Sequence, residues 1–439
     1  PPPPEPWPPA RGVAAPSPSS MLPPGHSPAS LVPSPGAASS SGAAVSPSAS
    51  LTASPTASPF LYINREHPIM TEATLQLPVP ERVQQVEWAA CAQATLGVCT
   101  AHTFTVFRRA HEAWHVHFRL ELDPGDREQW CHFCFDGKGT VAVVCAKLTD
   151  RFNAAPFSAT APPSQSSCSL LVYNIRHEGS PQNALDPKWL LLHHRLHRRP
   201  INDMLSDGGY TVFTAGQDGR LTRLSFSTSW TAIKDSAQMQ SASPMNNAED
   251  GDPIWSLTLP ETHFATLLIG ACDIRGASHI AIWNRSTKCL LKTLLCAGVR
   301  RVLSILPQQA YQQQAPNDYD HLLLLTLVED QAANRTCVLQ NISTAAVHSG
   351  HVYNFNKQDL GSKLSMAVTF NRLTNSNKYL ALGTQSGKVV LHNLSTGTCV
   401  GILCDLSGTT ADAVAFHGRL PYFATCGQSG GVIVYTQPS

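Results

Sequence analysis

The chain has 439 residues, of which 42% are hydrophobic and 14% charged, and 31 Lys and Arg balance 30 Asp and Glu for a net charge of +1. This balance argues against a nucleic-acid binder driven by charge, because such proteins carry a large basic excess to displace counterions from phosphates. No segment reaches the roughly 18–20 uncharged apolar residues that a spanning helix needs, so we do not expect a membrane protein.

The first segment, residues 1–59, holds 17 of the 34 prolines and only two charged side chains, Glu5 and Arg11. Such a segment buries too little apolar area to offset the entropy lost on folding. We therefore predict a disordered tail rich in Pro, Ser and Ala over residues 1–59, followed by a linker over residues 60–72.

One short pattern in the tail has a specific interpretation. Pro6, Pro9 and Arg11 fit P-x-x-P-x-R, a pattern that resembles the ligands of Src-homology-3 domains. A polyproline helix has three residues per turn, so Pro6 and Pro9 share an edge and Arg11 can reach an acidic pocket. The alternative is an ordinary proline-rich tail, and both interpretations stay open.

Beyond Phe60 the sequence consists of short runs rich in Val, Leu, Ile, Thr and aromatic residues, separated by Gly, Asp, Asn and Ser. These runs are typical of antiparallel strands, and none sustains a helical apolar period with caps.

The 13 cysteines are an odd number without framework spacing. That favours reduced thiols, so we expect a cytoplasmic or nuclear protein.

The strands repeat in two kinds of unit. An apolar strand followed by Asn-x-Ser occurs at Ile280, Cys337 and Val389, and a strand ending in a glycine turn occurs at Val212, Leu380 and Phe423. The turn glycines Gly387 and Gly430 lie 43 residues apart. This is the period of a four-stranded propeller blade.

These units resemble the WD-repeat family of β-propellers. Trp283-Asn284 is similar to the Trp-Asp pair that ends the third strand of its repeats, although Asn replaces Asp, and other copies carry Tyr173, Gln340 or His392 where Trp is usual. No clear Gly-His pair opens the blades, so we do not expect the family's His–Asp hydrogen-bond network in most of them. The resemblance implies fold far more than function.

We therefore predict an all-β chain whose residues 73–437 form a seven-bladed β-propeller. The seventh blade stops after three strands, and Ala73–Val79 has the alternation of an outer strand that could close the ring. The predicted blades are Val83–Leu122, Arg127–Leu196, Ile201–Ser236, Pro253–Leu295, Val299–Lys357, Leu364–Asp405 and Ala411–Thr436.

One face of such a disc carries the loops between the second and third strands of each blade and the loops between blades; we call it the loop face. An insertion at Thr149–Ser167 and the basic stretch His193–Arg199 both belong to it. The stretch could bind acidic or phosphate groups, or could be a solvated outer strand with Leu192 and Leu196 inward. The predicted partner-binding residues are Arg151, Phe152, Phe157, His193, Arg195, His197, Arg198 and Arg199.

Two patterns contain residue types that commonly bind metal ions. Cys131 and Cys134 form C-x-x-C, but no second pair completes a zinc tetrad and core packing is the preferred interpretation. His115 and His117 share one face of a strand, but no carboxylate pair supports them. We therefore predict neither a metal site nor a cofactor.

The Asn-x-Ser repeats, including the one at Asn284, match the glycosylation acceptor pattern. The preferred interpretation is a turn between the third and fourth strands, because an Asn side chain accepts hydrogen bonds from backbone amides two residues on.

The predicted function is a non-catalytic protein-interaction scaffold, a monomeric propeller that docks other proteins within an intracellular complex. The first alternative is recruitment to phosphoinositides, because Phe107-Arg108-Arg109 resembles the Phe-Arg-Arg-Gly motif of autophagy propellers, with Ala110 in place of Gly. The second is a catalytic propeller, which requires two carboxylates that converge on the central channel. The sequence contains no recognised catalytic motif.

Overall fold

In the computed structural model, residues 61–436 are described except for a set of short ranges. The excepted ranges are 63–67, 78–80, 92, 123–128, 149–166, 182, 198, 243–251, 261–265, 309–322, 333–334, 342–346, 354–366, 372–375, 385–386, 394–398, 405–410, 418–419, 421 and 428–429.

The described residues form 29 strands and no helix. It follows that this part of the chain holds no helix long and apolar enough to cross a bilayer. The strands make seven sheets, six of four strands and one of five, and successive strands of each blade pair as antiparallel neighbours. The prediction of a seven-bladed all-β propeller is confirmed.

Blades one to six each use four consecutive strands, with the first innermost, and blade seven combines three consecutive strands with two N-terminal ones. Blade one contains β3 to β6, blade two β7 to β10, blade three β11 to β14, blade four β15 to β18, blade five β19 to β22, blade six β23 to β26, and blade seven β27 to β29 with β2 and β1. The strands are β1 Leu61–Tyr62, β2 Pro68–Gln76, β3 Gln85–Trp88, β4 Thr95–Cys99, β5 Thr103–Ala110, β6 Ala113–Glu121, β7 Gln129–Phe135, β8 Val141–Leu148, β9 Ser167–Asn174, β10 Leu190–His197, β11 Ile201–Ser206, β12 Thr211–Gly216, β13 Leu221–Phe226, β14 Ile233–Gln238, β15 Ile254–Thr258, β16 Leu267–Ile274, β17 Ala277–Asn284, β18 Leu290–Leu295, β19 Val299–Gln308, β20 Leu323–Asp330, β21 Arg335–Asn341, β22 Val347–Tyr353, β23 Ala367–Asn371, β24 Ser376–Gly383, β25 Lys388–Asn393, β26 Cys399–Cys404, β27 Ala411–Phe416, β28 Tyr422–Gly427 and β29 Gly431–Thr436.

The ring is closed by the N-terminal strand β2. It pairs antiparallel with β29, from Met70 opposite Thr436 to Gln76 opposite Gly431. The strand begins at Pro68, so the segment predicted as a linker is partly strand, and Leu61–Tyr62 adds a further strand on its outer side. This extension covers backbone groups of β2 that would otherwise form the sheet edge.

The core lies between neighbouring blades. In the third strand of blade two, four consecutive side chains from Leu170 to Tyr173 are fully buried, because both faces of the sheet are covered by other blades. The outermost strand β14 is instead mostly exposed. This difference explains why inner strands read as apolar runs and outer strands as mixed sequence.

The repeated turns have the backbone that their residues predict. Gly219, Gly387 and Gly430 have φ of 70°, 77° and 74° at equivalent turns of blades three, six and seven, a region that glycine enters without a steric penalty. In blade four, Asn284 Oδ1 accepts hydrogen bonds from the amides of Ser286 and Thr287, both at 2.9 Å. The turn interpretation of this Asn-x-Ser copy is confirmed.

The closing strand generates a stability prediction. Leu75 is buried between β29 and blade one, where it packs in one cluster with Val86 and Val432. We expect Leu75→Ala to lower the free energy of unfolding by about 2–4 kcal/mol, because it leaves a cavity in this junction. Urea denaturation measures the change.

The matched control is Gln76→Ala, at the exposed neighbouring position of the same strand. It should alter stability by no more than about 0.5 kcal/mol. If Leu75→Ala unfolds at the same urea concentration as Gln76→Ala, β2 does not hold the ring closed.

Candidate functional site

The predicted loop-face residues lie at the end of β10 and in the turn that leads to β11. Arg195 and Arg199 are exposed, whereas His193 and His194 are partly buried. Burial lowers the pKa of both histidines, and the charge of Arg195 lowers that of His193 further. The described part of this surface therefore presents arginine charge at neutral pH.

Other predicted members lie outside the described residues, namely Arg151, Phe152, Phe157 and Arg198, as do Pro6, Pro9 and Arg11 of the tail.

His197 does not belong to this surface, contrary to the sequence-based expectation. Its ring is buried, with Nδ1 at 3.0 Å and 3.2 Å from the two carboxylate oxygens of Asp218 and Nε2 at 3.0 Å from the Thr214 hydroxyl. A carboxylate only accepts, so Nδ1 carries a hydrogen and donates it. The ring therefore ties the end of blade two to the inner strands of blade three.

A buried His–Asp hydrogen-bond pair is thus present between blades two and three although no glycine precedes the histidine, and its carboxylate belongs to the Gln-Asp-Gly turn rather than to a Trp-Asp pair. His197 follows Leu196, and its carboxylate partner lies 21 residues later in the Gln-Asp-Gly turn. That spacing between a histidine at the end of one blade and an aspartate in the next turn is the signal that could have identified it.

The Asp218 carboxyl makes stability depend on pH. Burial alone would raise its pKa, but hydrogen bonds and charge from His197, with the amide and charge of Arg220, hold the pKa below its ordinary value. A lowered carboxyl pKa contributes stability that is fully present above the ordinary value of 3.8 and is lost as the pH falls through the folded-state pKa.

We expect Asp218→Asn to lower the free energy of unfolding at pH 7 by about 1–3 kcal/mol and to reduce its dependence on acid pH. Denaturant unfolding at pH 7, 5 and 4 measures both effects. The control is Asp235→Asn, since Asp235 is exposed and pairs with Lys288 at 3.1 Å. This substitution should lower the free energy of unfolding by less than about 1 kcal/mol. Equal losses in the two variants would contradict the structural role of the buried pair.

The two arginines of the predicted phosphoinositide motif make contacts within the fold. Arg108 Nη2 donates to the carbonyls of Gly139 at 2.8 Å and Ile175 at 3.3 Å. Arg109 Nε lies 2.6 Å from a carboxylate oxygen of Glu72, and its guanidinium lies 5.7 Å from the ring centre of Tyr422. These contacts connect blade one to blade two and to the closing strand, so the geometry supports a structural role for both side chains.

The inner strands enclose a central cavity of about 570 Å³. Its described wall combines apolar side chains with many polar ones and includes the cation Arg301, whose guanidinium lies 4.3 Å from the ring centre of Trp255. The polar lining residues are Gln84, Gln85, Gln129, His132, Asn202, Asp203, Gln217, Ser256, Arg301 and Ser304.

Several of these polar groups join adjacent blades. Gln85 of β3 donates through Nε2 to the Phe133 carbonyl at 2.9 Å and accepts from the Phe133 amide at 3.0 Å, which links blades one and two. Asn202 of β11 donates to the Ile254 carbonyl at 2.8 Å, which links blades three and four. The channel wall is thus held together by side chain to backbone bonds.

The carboxyl groups of Glu87 and Asp203 are close enough for the charge of Asp203 to affect the pKa of Glu87. Glu87 remains partly accessible but is surrounded by protein, and burial together with the charge of Asp203 raises its pKa to about 8, against a hydrogen bond from Gln85. The Glu87 carboxyl is therefore largely protonated at neutral pH. Of the two, Asp203 is a lining residue of the central cavity.

Each carboxylate oxygen of Asp203 accepts a hydrogen bond from a backbone amide. Oδ2 accepts from the Leu257 amide at 2.6 Å and Oδ1 from the Met204 amide at 2.8 Å. Burial raises its pKa to about 6, and these amides together with Ser256 oppose the rise. Because both oxygens bind backbone amides, the carboxylate acts as a connection between β11 and β15.

The protonation of Glu87 predicts how stability changes at higher pH. A raised carboxyl pKa means that the folded protein holds a proton that the unfolded chain releases, so stability falls as pH rises from about 4.5 to about 8. We expect Glu87→Gln to be more stable than the wild type at pH 8 by about 1–3 kcal/mol and similar to it at pH 4.5. Urea unfolding across this range measures the difference, and parallel curves for the two proteins would contradict the raised pKa.

The structure also places the cysteines of the C-x-x-C pattern. Cys134 is fully buried in the core of blade two, and burial raises the pKa of its thiol well above the ordinary value. Cys131 instead lines the central cavity. The two side chains thus occupy different environments, in agreement with the prediction of core packing for Cys134.

Neither the models of known protein families nor the curated proteins match this chain. The seven-bladed propeller is compatible with the WD-repeat resemblance, and membership of that family stays a prediction.

Proposed function

We propose that the protein is a non-catalytic interaction scaffold, a propeller that docks other proteins through its loop face within an intracellular complex. The observation that carries this proposal is the use of the interior polar groups. Gln85, Asn202 and Asp203 of the channel wall bind the backbone of the adjacent blade. Arg195 and Arg199, by contrast, are exposed.

The commitment of Asp203 supports this proposal over a catalytic propeller. General acid–base catalysis needs a carboxyl group within hydrogen-bond reach of the reacting atoms. Both oxygens of Asp203 accept backbone amides, at 2.6 Å and 2.8 Å, and these bonds orient the carboxylate toward the backbone of β11 and β15.

The contacts of Arg108 and Arg109 support the scaffold over recruitment to phosphoinositides. A lipid headgroup would have to compete with Glu72 for Arg109 and with two backbone carbonyls for Arg108. Arg195 and Arg199 are exposed on the loop face, and we propose that they contact an acidic surface of a partner protein.

A pair of charge-reversed variants tests the docking face. We expect Arg195→Glu with Arg199→Glu to reduce recovery of a stoichiometric partner at least about tenfold, because like charges would then face each other across the interface. The full chain is purified from its own cells through a tag, and partners are quantified and cross-linked sites mapped by mass spectrometry.

The matched control is Lys138→Glu with Arg176→Glu, an equal change in charge at exposed residues in turns of the opposite face. It should leave recovery unchanged. Equal recovery from both variants, or cross-links confined to the opposite face, would overturn the docking assignment. Flotation of the chain with phosphoinositide vesicles, lost in the Arg195 and Arg199 variant, would support the membrane alternative instead.

A further inference from the structure

Three side chains capable of binding a metal ion meet at the outer edge of blade one. One donor atom from each of His115, His117 and Glu178 lies within 4.8 Å of the others. The histidines are on β6, and Glu178 follows β9 in blade two. The carboxylate that the sequence did not place near the histidines is thus supplied by the neighbouring blade.

A bulge in β6 orients His117. The register with β5 runs from Phe107 opposite Val116 to Val106 opposite Phe118, so His117 is the extra residue. Regular alternation is interrupted here, and His117 and Phe118 are both buried while Val116 is exposed. Bulges occur beside functional sites, where they redirect a side chain.

The position of Glu178 is fixed by its neighbour Gly179. The Gly179 amide donates to the His117 carbonyl at 2.9 Å, and Gly179 forms a parallel bridge with Phe118. A Cβ atom at Gly179 would lie 2.5 Å from the ring of Trp189, so only glycine permits this approach. Glu178 is therefore delivered beside the two histidines by backbone pairing.

His117 already makes the outer contact that metal-binding histidines use. Its Nε2 lies 2.9 Å from the Ile175 carbonyl, which only accepts, so Nε2 carries the hydrogen and Nδ1 keeps a free lone pair. In metal sites, one ring nitrogen binds the ion while the other donates to a carbonyl or carboxylate, which orients the ring.

We propose that His115, His117 and Glu178 form a divalent-metal site that binds zinc and connects the outer strand of blade one to a turn of blade two. Two imidazoles and a carboxylate are a ligand set of open zinc sites. With bonds of about 2.0–2.1 Å, tetrahedral ligand atoms lie about 3.3 Å apart. The partly exposed His115 and the exposed Glu178 close the remaining gap by side-chain rotation, and the fourth ligand is water.

Arg108 places a positive charge beside these ligands, because it lies opposite His115 in the strand pair. Its guanidinium donates to the Gly139 and Ile175 carbonyls, and its charge weakens binding of a dication. The negative charge of Glu178 counteracts it. We therefore expect the loss of Glu178 to weaken zinc affinity most. Because Glu178 is exposed, its replacement should disturb the fold least.

The experiment titrates the full chain with zinc and with cobalt. We expect one equivalent to bind tightly and the melting temperature to rise with zinc concentration, because binding to the folded state alone stabilises it. Glu178→Gln and His115→Ala should each weaken zinc affinity at least about tenfold and abolish the rise in melting temperature. Cobalt bound here should show the d–d bands of nitrogen and oxygen ligation without a thiolate charge-transfer band.

The control is His111→Asn, which replaces an exposed histidine of the adjoining turn, at φ of 54°, by a residue that also tolerates this backbone conformation. It should bind zinc as the wild type does. The proposal is overturned if Glu178→Gln retains wild-type affinity and stabilisation, or if the cobalt spectrum is that of thiolate ligation and is unchanged in both ligand variants.

Discussion

A ring of antiparallel sheets depends on the junction between its two ends, because an open ring leaves two outer strands with unpaired amide and carbonyl groups. Here the junction is built from β2 and β29, whose pairing brings the two ends of the propeller segment into one sheet. Glu72 of the closing strand strengthens it, since its carboxylate accepts from Trp114 Nε1 at 3.2 Å and pairs with Arg109. Trp114 and Arg109 of blade one thereby contact the closing strand.

Polar side chains also connect neighbouring blades at other junctions of the ring. Gln85, Asn202 and Asp203 bind the backbone of the adjacent inner strand, and His197 reaches from the end of blade two to Asp218 of blade three. An unpaired polar group in these positions would be costly, and at these three junctions the hydrogen bonds are supplied by residue types that also occur in functional sites. These interior polar groups therefore connect neighbouring blades.

Features that depend on neighbours along the chain were predictable. The blade boundaries followed from the strand and turn repeats, and the turn at Asn284 followed from the short polar side chain that bonds amides two residues on. The His115 and His117 pair was recognisable as two histidines on one strand. Its partner Glu178 was not, because the bulge at His117 and the pairing of Gly179 with β6 arise only when two blades pack together.

By itself, the sequence determined the class of fold, the number of blades and the closing strand, because strand periodicity and turn residues act within a few positions of one another. Only the tertiary structure decided which polar residues are exposed. His197 and Arg195 lie two positions apart in the same basic stretch, yet one ring is buried against a carboxylate and the other side chain is exposed. The difference is set by contacts between blades, and residues brought together across a packed interface carry no signal in their local spacing.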